Sequence, residues 1–380
     1  MNNEYLVQNV WSISSLNKSR KDVREELRIV ATGISGSGRE EYLRKFIEIA
    51  GRNGFEIRLF SVGSMMFETA RKLGMNISED KILDLSPSSL NFLRATVFEQ
   101  IIREAEDYEN IVISTHACFR WKKHVFQAFD FHYLNELSPD IFVTISDSVL
   151  SIKRRLESSL QWRGRLTLKD ILVWRDEEIL LTKSIADYRG KPFYIIPSPS
   201  PGETLFNLAF KQDSRKVYLS YPITHLEDKE ASLANKDVFK EKLRKLGLTV
   251  FDPGEIEDAL LLEKLKELKN SGGDKLIIGS NGFEISVREM EEVVEDLLDQ
   301  IVARDYQLID QSDFLIVYYF SPIMSPGVLS EMNYGFSNNK KVLVVFQGPE
   351  SPFFNYYSTR IFKTEEELID FLRKERLITE

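Results

Sequence analysis

One carboxylate, Glu331, lies between two strongly apolar runs near the C-terminus. The runs at 314–320 and 341–346 are β-prone throughout, which is typical of parallel strands buried on both faces. Residues 321–327 contain two prolines and a glycine and predict a loop, and 328–336 predicts a helix with Glu331 in its first turn. Open α/β sheets bind ligands at the carboxyl ends of their strands, so Glu331 is a candidate nucleophile. The alternative is an ordinary helix carboxylate favoured by the helix dipole.

A second candidate site is glycine-rich. Gly33, Gly36 and Gly38 follow an apolar run at 27–32 and precede an amphipathic pattern at 40–50. A strand, a glycine-rich turn and a helix together form a phosphate cradle, because backbone N–H groups and the helix N-terminus favour a bound anion. The alternative is a plain strand-to-helix turn that binds nothing.

The match of this turn to a P-loop is imperfect. Gly33 and Gly38 have the P-loop spacing, but Arg39 replaces the lysine and Glu40 replaces the hydroxyl that would bind Mg²⁺. Arg39 can still contact phosphate through its planar fork of donors. Glu40 would repel a nearby phosphate unless a cation lay between them.

These segments belong to a chain in which predicted strands and helices alternate, which indicates parallel sheets covered by helices. The alternation restarts after residues 213–215, so we predict an N-terminal arm or short helix at 1–26 and domains at 27–212 and 216–380. Residues 255–286 are less regular and predict an insertion or a lid. Further strands are predicted at 55–61, 110–114, 140–145, 192–196, 216–220 and 249–252, and long helices at 86–106, 168–188, 229–246, 287–310 and 365–374.

Four motifs in order give the first domain a resemblance to the archaeal adenylate kinase family. They are the glycine-rich turn at 33–40, GSMM at 63–66, STH at 114–116 and an arginine-rich segment at 154–165. The family has a P-loop, a Gly-Asp-x-Met segment, an Asp-Thr-His motif and an arginine-rich lid in this order. The resemblance implies a P-loop kinase fold that binds nucleotide, with ATP and Mg²⁺ as the implied ligands.

Departures from the family pattern weaken the expectation of phosphoryl transfer. Arg39, Glu40 and Ser64 replace residues on which charge neutralisation and positioning depend. His116 either contacts a base or is a structural histidine. The arginines of the implied lid either bind phosphate or form a solvated face: Arg154, Arg155, Arg163 and Arg165.

The second domain resembles the nucleoside 2-deoxyribosyltransferase family, which includes the 2'-deoxynucleoside 5'-phosphate N-hydrolases. The family places a tyrosine in the first strand, an aspartate in the helix before the third strand, and a loop-helix of the form [S/D]-x-G-x-x-x-E. This chain has Tyr218, Asp305 and then Ser325, Gly327 and Glu331 in matching order. The two resemblances together imply a P-loop kinase-like parallel sheet followed by a doubly wound flavodoxin- or Rossmann-like sheet.

The second resemblance implies cleavage of an N-glycosidic bond. A carboxylate can trap the oxocarbenium-like state at the anomeric carbon, as in retaining glycosidases, and Glu331 matches that role. Tyr218 would orient Glu331, and Asp305 would assist the departing base. Gly327 would let the backbone approach the ligand, and Ser325 with the helix N-terminus would accept a 5'-phosphate. Ser220 is assigned to substrate binding in the same pocket.

The favoured function is therefore an enzyme that cleaves or transfers the N-glycosidic bond of a (deoxy)nucleoside 5'-monophosphate, without a cofactor at that site. One alternative is a nucleoside monophosphate kinase. The other is a nucleotide-binding sensor without catalytic activity. The family analogy also implies a homodimer.

Composition narrows the kinds of ligand, metal site and cellular location that are expected for this protein. A net charge of −9 gives no overall basic field for nucleic-acid binding. The single cysteine, Cys118, excludes an intramolecular disulfide and a cysteine-built metal cluster, and it is expected in the core. Four scattered histidines predict no zinc site. No apolar run reaches the ~18 residues of a membrane span, and the N-terminus lacks signal-peptide features, so a cytoplasmic protein is expected.

Overall fold

The structure is a computed structural model that describes residues 26–75, 77, 82–121, 124–211, 213–223, 229–279, 282–320 and 322–378. The arm predicted at 1–26 therefore lies outside the described residues, apart from Glu26. No helix in these ranges is long and apolar enough to cross a membrane.

The first half of the chain builds a five-stranded parallel sheet with helices around it and a small hairpin beside it. In chain order its elements are β1 (Leu27–Thr32), α1 (Arg39–Arg52), β2 (Arg58–Ser61), α2 (Val62–Lys72), a 3-10 turn (Ile82–Asp84), α3 (Pro87–Ala105), β3 (Asn110–Ser114), β4 (Cys118–Trp121), β5 (His124–Gln127), α4 (Phe131–Leu137), β6 (Ile141–Ser146), α5 (Val149–Ser158), α6 (Leu168–Tyr188), β7 (Phe193–Pro197) and α7 (Gly202–Phe210).

The second half builds another five-stranded parallel sheet and carries an antiparallel hairpin. Its elements are β8 (Lys216–Ser220), α8 (Lys229–Lys245), β9 (Thr249–Phe251), a 3-10 turn (Pro253–Glu255), α9 (Ala259–Ser271), β10 (Lys275–Ile278), β11 (Phe283–Ser286), α10 (Val287–Glu291), α11 (Val294–Asp310), β12 (Phe314–Tyr318), α12 (Pro326–Ser337), β13 (Lys341–Val345), α13 (Pro352–Tyr357), β14 (Arg360–Phe362) and α14 (Glu365–Lys374).

Both sheets reverse their strand order at a point that exposes the carboxyl ends of two adjacent strands. The first has the order β2-β3-β1-β6-β7, so the glycine-rich turn leaves β1 between β3 and β6. The second has the order β14-β13-β12-β8-β9, which is the flavodoxin-like order 2-1-3-4-5. Its switch point lies between β8 and β12, where Leu315 pairs with Tyr218 and Val317 pairs with Ser220.

The prediction of two α/β units with parallel sheets is confirmed. Two local predictions are wrong. The single helix expected at 287–310 is broken into α10 and α11 around residues 292–293, and α12 begins at Pro326, two residues earlier than predicted. Glu331 is consequently in the second turn of α12, where the dipole of the helix end offers a carboxylate little stabilisation.

The two halves share buried apolar surface. Leu261, Leu265 and Leu297 of the second half pack with Ile152 and Leu172 of the first in one cluster. The irregular segment predicted at 255–286 thus forms α9 and the β10–β11 hairpin, and it lies over α5 and α6. The second half therefore contains a segment outside the sheet that positions Glu331, and this segment packs against the first half.

Candidate functional site

Glu331 is held by two hydroxyl groups from β8. The Tyr218 hydroxyl donates to Glu331 Oε1 at 3.0 Å, and the Ser220 hydroxyl donates to Oε2. Tyr218 and Ser220 are two residues apart, so their side chains project from the same face of the strand. Both residues are fully buried. The two donors fix both oxygens of the carboxylate and thereby its orientation.

Helix α12 brings Glu331 to β8 because it packs very closely on the sheet. Its buried positions Val328, Met332 and Gly335 recur at helical spacing. A Cβ atom at Gly335 would lie 2.7 Å from Leu315 Cδ1 on β12, so only glycine permits this approach without a shift. Pro326 occupies the first helical position, where its missing N–H costs no hydrogen bond.

A second carboxylate, Asp305, couples electrostatically to Glu331 from α11. Burial and, to a lesser extent, the nearby Asp305 charge raise the pKa of Glu331 to about 8, while the hydrogen bonds from Ser220 and Tyr218 oppose the rise. Burial likewise raises the pKa of Asp305 to about 6, opposed by the adjacent Arg304. Between these values the pair of carboxyl groups carries a single proton, which the order of the two pKa values places mainly on Glu331. One ionised carboxylate and one acid together are what nucleophilic attack with leaving-group protonation requires.

The N-terminal end of α12 lies between one and two turns before Glu331 along the same helix. Ser325 is the cap residue, and within the described chain its hydroxyl accepts no capping hydrogen bond, whereas its N–H donates to the Tyr319 hydroxyl at 3.3 Å. A Cβ atom at Gly327 would meet only Ser325 Oγ, at 3.8 Å, among the described atoms. The structure thus brings Tyr218, Ser220 and Asp305 to Glu331 at the switch point of the second sheet, and it places Ser325 and Gly327 at the start of the helix that carries Glu331.

The glycine-rich turn adopts a conformation that requires glycine. Gly36 and Gly38 have φ values of +81° and +84°, and Gly38 leads directly into α1. The Arg155 guanidinium of α5 donates to the Gly36 carbonyl at 2.8 Å and to Asp147 at 2.7 Å. Among the arginines of the implied lid, Arg155 is therefore the one with a described contact to the turn.

The other arginines of the implied lid lie on exposed positions of the chain. Arg163 donates to the carbonyl of Glu157 at 3.0 Å. Arg154 lines a cavity of 420 Å³ between α5 and the β10–β11 hairpin. Arg165 is also exposed. The β10–β11 hairpin therefore lies next to the arginine-rich segment for which the resemblance implies a lid.

Arg39 points into the protein below the turn. Its guanidinium donates to Ser114 Oγ at 2.8 Å and to the carbonyls of Gly33 and Thr115. Glu40 accepts from the hydroxyls of Ser61, at 3.0 Å, and Ser114. Both side chains that replace P-loop residues are thus bound to protein groups.

A buried carboxylate that the sequence did not single out, Glu178 of α6, closes the floor of the same turn. It accepts hydrogen bonds from the backbone N–H groups of Gly33 at 3.0 Å, Ala117 at 2.8 Å and Cys118 at 2.9 Å. Burial raises its pKa, against the lowering effect of those donors and of Arg39. The fully buried Cys118 lies beside it, as expected of a core residue.

His116 packs beside two aromatic rings, and its Nδ1 lies 3.8 Å from the Glu178 carboxylate. Its ring centroid lies 4.4 Å from that of Phe119 and 5.8 Å from that of Trp174. Burial, followed by the charges of Arg39 and Arg94, holds the pKa of His116 well below its usual value. The imidazole is therefore neutral at physiological pH, and these contacts favour the structural interpretation.

Phe119 also lines a cavity of 910 Å³ between α3 and the β4–β5 hairpin. Arg94 reaches it from α3 and donates to the carbonyl of Gln127 at 3.0 Å. Asp130 lies opposite and caps α4. The hairpin itself was not predicted from the sequence. The cavity is bordered by four phenylalanines: Phe119, Phe126, Phe129 and Phe131.

Comparison with known proteins distinguishes the two halves. The sequence profile of the family described as "AAA domain" matches residues 32–171. The adenylate kinase of Methanocaldococcus jannaschii is 28% identical over 146 residues, which are 38% of this chain and 74% of the relative. The adenylate kinase of Methanoculleus marisnigri is 23% identical over 170 residues, which are 44% of this chain and 88% of that relative. The N-terminal half is a P-loop domain similar to archaeal adenylate kinases.

Solved structures give weaker likenesses. A conserved protein from Enterococcus faecalis has 15% identity and a TM-score of 0.27, over 43% of this chain and 99% of that protein. A 2-deoxyribosyltransferase from Bacillus psychrosaccharolyticus has 16% identity and a TM-score of 0.25, over 40% of this chain and 89% of that protein. Likenesses at this level do not decide an activity, so the function of the second half has to be argued from its residues.

Proposed function

We propose that this protein cleaves or transfers the N-glycosidic bond of a (deoxy)nucleoside 5'-monophosphate, with Glu331 as the nucleophile. The observation that supports this most is the pair of hydroxyl donors, Tyr218 and Ser220, that fixes both oxygens of Glu331 at the switch point of the second sheet. The Asp305 charge also acts on Glu331, so the site has a second carboxyl group that can serve as the acid.

The reaction proceeds in two balanced steps. In the first, which starts from the form of the pair that has its proton on Asp305 rather than on Glu331, the C1'–N bond breaks, its electron pair leaves with the base, and Asp305 donates the proton that neutralises that base. A Glu331 oxygen forms the new bond to C1'. In the second, water or an acceptor base attacks C1', the ionised Asp305 takes its proton, and the Glu331 carboxylate is released. Tyr218 and Ser220 stabilise the ionised form of Glu331 at the start and end of the cycle.

The phosphate preference comes from the N-terminal end of α12. Four N–H groups at a helix start lack partners within the helix and favour an anion. Ser325 adds a hydroxyl without adding negative charge, and Gly327 leaves the backbone open to a ligand. A 5'-phosphate bound there would hold the sugar in front of Glu331.

Base release tests this function. The protein is incubated with a panel of deoxynucleoside and nucleoside monophosphates, and free base is measured by chromatography. We expect release by the wild type, near-complete loss in Glu331→Gln, and unchanged release in the control Glu295→Gln, which alters an exposed glutamate on α11. Lack of release from every monophosphate, or full activity of Glu331→Gln, would rule the function out.

The N-terminal half supports a second proposal, nucleotide binding without efficient phosphoryl transfer. The glycine-rich turn fits a phosphate, and the aromatic cavity bordered by Phe119 and Phe129 fits a base. The residues that would bind Mg²⁺ do not fit it, because Glu40 is already hydrogen-bonded by two serines and the Arg39 guanidinium lies against Ser114. A Mg²⁺ ion there would be repelled by the positive charge of the Arg39 guanidinium.

A coupled assay with ATP and nucleoside monophosphates distinguishes the remaining alternatives. Turnover that a folded Arg39→Ala variant lacks and Glu331→Ala retains would favour a kinase. Tight nucleotide binding in calorimetry, with no turnover in either assay, would favour a sensor. The homodimer implied by the second resemblance is tested by light scattering after gel filtration, where a monomeric mass would exclude it.

A further inference from the structure

Asp258, which precedes α9, is a buried junction between the two halves of the protein. It is fully buried and receives four donors: the Val149 N–H at 2.9 Å, two Arg175 nitrogens at 3.1 and 2.9 Å, and an Arg304 nitrogen at 2.8 Å. Val149 and Arg175 belong to α5 and α6 of the kinase-like half. Arg304 belongs to α11, one residue before Asp305.

The same arginine reaches the proposed acid of the reaction. An Arg304 nitrogen lies 3.4 Å from Asp305 Oδ1, and the Arg304 side chain is only 10% exposed. Two arginines and two aspartates therefore form a nearly buried group whose formal charges cancel when Asp305 is ionised. The arrangement has the form of a shared ion cluster, in which removal of one member leaves an uncompensated charge.

Arg175 is itself fixed by several contacts. It donates to the Asp147 carbonyl at 3.0 Å and to Gln300 Oε1 at 2.8 Å, and Gln300 in turn donates to the Leu172 carbonyl at 2.9 Å. Helix α6 is thereby bonded to α11 one turn before Arg304. The capping box of Thr167 and Asp170 fixes the start of α6.

We propose that Arg304 is a positioning residue for Asp305, and that the kinase-like half holds it in place through Arg175 and Asp258. This inference rests on the proposed function, because it assigns a part to Asp305 in that reaction. It makes the two halves a single catalytic unit, in which the first half contributes structure to the site of the second. The apolar contacts agree, since Ile179 and Ile195 of the first half pack in one cluster with Tyr218.

The charges around Asp305 determine the direction in which a substitution shifts its pKa. Arg304 lies on its own helix; the other groups that act on it are Asp258 before α9, Asp252 after β9, Glu331 on α12 and the Tyr218 hydroxyl on β8. Among these Arg304 is the cation that favours the ionised form of Asp305. Its loss raises the pKa of Asp305, whereas loss of the Asp258 charge lowers it.

Opposite shifts of the pH–rate profile test the proposal. We expect Arg304→Gln to move the acidic limb of the base-release profile, which reports the ionisation of Asp305, upward by about one pH unit. Asp258→Asn should move it downward, and Arg304→Lys should restore most of the wild-type position. The matched control is Arg288→Gln, since Arg288 on α10 has 88% of its side chain exposed. A merely structural role would lower activity without shifts of opposite sign.

Carboxyl ¹³C NMR titration of the same proteins separates this inference from the proposed function and still applies if one variant does not fold. Asp305→Asn and Glu331→Gln assign the two resonances. A wild type that releases no base while Arg304→Gln shifts the resonances would reject the function and keep the positioning. A wild type that releases base, with profile and resonances unmoved in both Arg304→Gln and Asp258→Asn, would overturn the inference.

Discussion

The hydroxyl of Tyr218 lies 3.0 Å from Glu331 Oε1, although the two residues are 113 positions apart in the chain. The contact connects the first strand of the second sheet to the helix that follows its third strand. Replacement of Tyr218 by phenylalanine removes one donor to the ionised carboxylate. Because a hydrogen bond to a charged group contributes about 1.5–3 kcal/mol, we expect kcat/KM for base release to fall about 10- to 100-fold.

The matched control for that substitution is Tyr188→Phe, since Tyr188 is 80% exposed at the end of α6. It should retain wild-type kinetics. Equal losses in both variants would mean that the Tyr218 hydroxyl does not orient Glu331.

Base release should have a bell-shaped dependence on pH. The pKa of Asp305 is raised to about 6 and that of Glu331 to about 8, so the singly protonated pair predominates between these values. We expect activity to fall on both sides of that window. Rates that rise steadily from pH 5 to pH 9 would contradict the assignment of one acid and one nucleophile.

The same pKa values make a prediction about stability. A carboxyl group whose folded pKa lies above its unfolded value of about 4.3 contributes stability that is fully present below that value and is lost as pH rises toward the folded pKa. Glu331→Gln removes this loss. We expect the free energy of unfolding of this variant, relative to that of the wild type, to be greater at pH 8 than at pH 4. Denaturant titration at the two pH values measures this, and a gain of equal size at both would contradict it.

Ser325 should determine whether a phosphate is accepted. An aspartate there would place a negative charge at the start of α12, where the substrate phosphate is proposed to bind. We expect Ser325→Asp to raise KM for a monophosphate about 10- to 100-fold, because like charges in contact cost several kcal/mol. The free nucleoside should be little affected, and Ser325→Ala should change either KM by only a few-fold. Equal effects of Ser325→Asp on nucleotide and nucleoside would place the phosphate elsewhere.

Arg39 should be important for folding. Its guanidinium is bound by Ser114 and by two backbone carbonyls under the glycine-rich turn. Methionine there would leave these buried acceptors unsatisfied, at a cost of about 2–4 kcal/mol in the free energy of unfolding. Arg44→Met, on an exposed position of the same helix, should cost less than about 0.5 kcal/mol. Denaturant titration compares them, and similar costs would mean that Arg39 is free for a ligand.

The sequence predicts the sheets well because their strands are buried on both faces and read as unbroken apolar runs, such as 110–114 and 216–220. It also indicates Glu331, Tyr218 and Asp305 through their order along the chain. Which hydroxyls reach the carboxylate depends on strand order and on how closely α12 packs. Ser220, expected to bind substrate, therefore emerges as a donor to Glu331 only in the structure.

Buried charges were the main omission from the sequence interpretation. Glu178 and Arg175 occupy the apolar face of α6, at helical spacing with Ile171 and Thr182. Charged residues on the buried side of an amphipathic pattern are a signal that the sequence does contain. Asp258 gives no such signal, because its partners come from three separate helices. Arg39 was expected to face phosphate from its type and position, whereas its inward orientation depends on acceptors more than seventy residues away.

The most direct test of the central claim is intact-protein mass spectrometry after reaction with a 2'-deoxy-2'-fluoro nucleoside monophosphate. The 2'-fluorine destabilises the oxocarbenium-like state and so slows breakdown of a glycosyl-enzyme ester. The ester then lasts long enough to be detected. We predict a mass increase equal to the sugar phosphate, located by proteolysis on the peptide that contains Glu331 and absent from Glu331→Gln. Base release without any adduct, or an adduct that persists in Glu331→Gln, would contradict a glutamate nucleophile at this position.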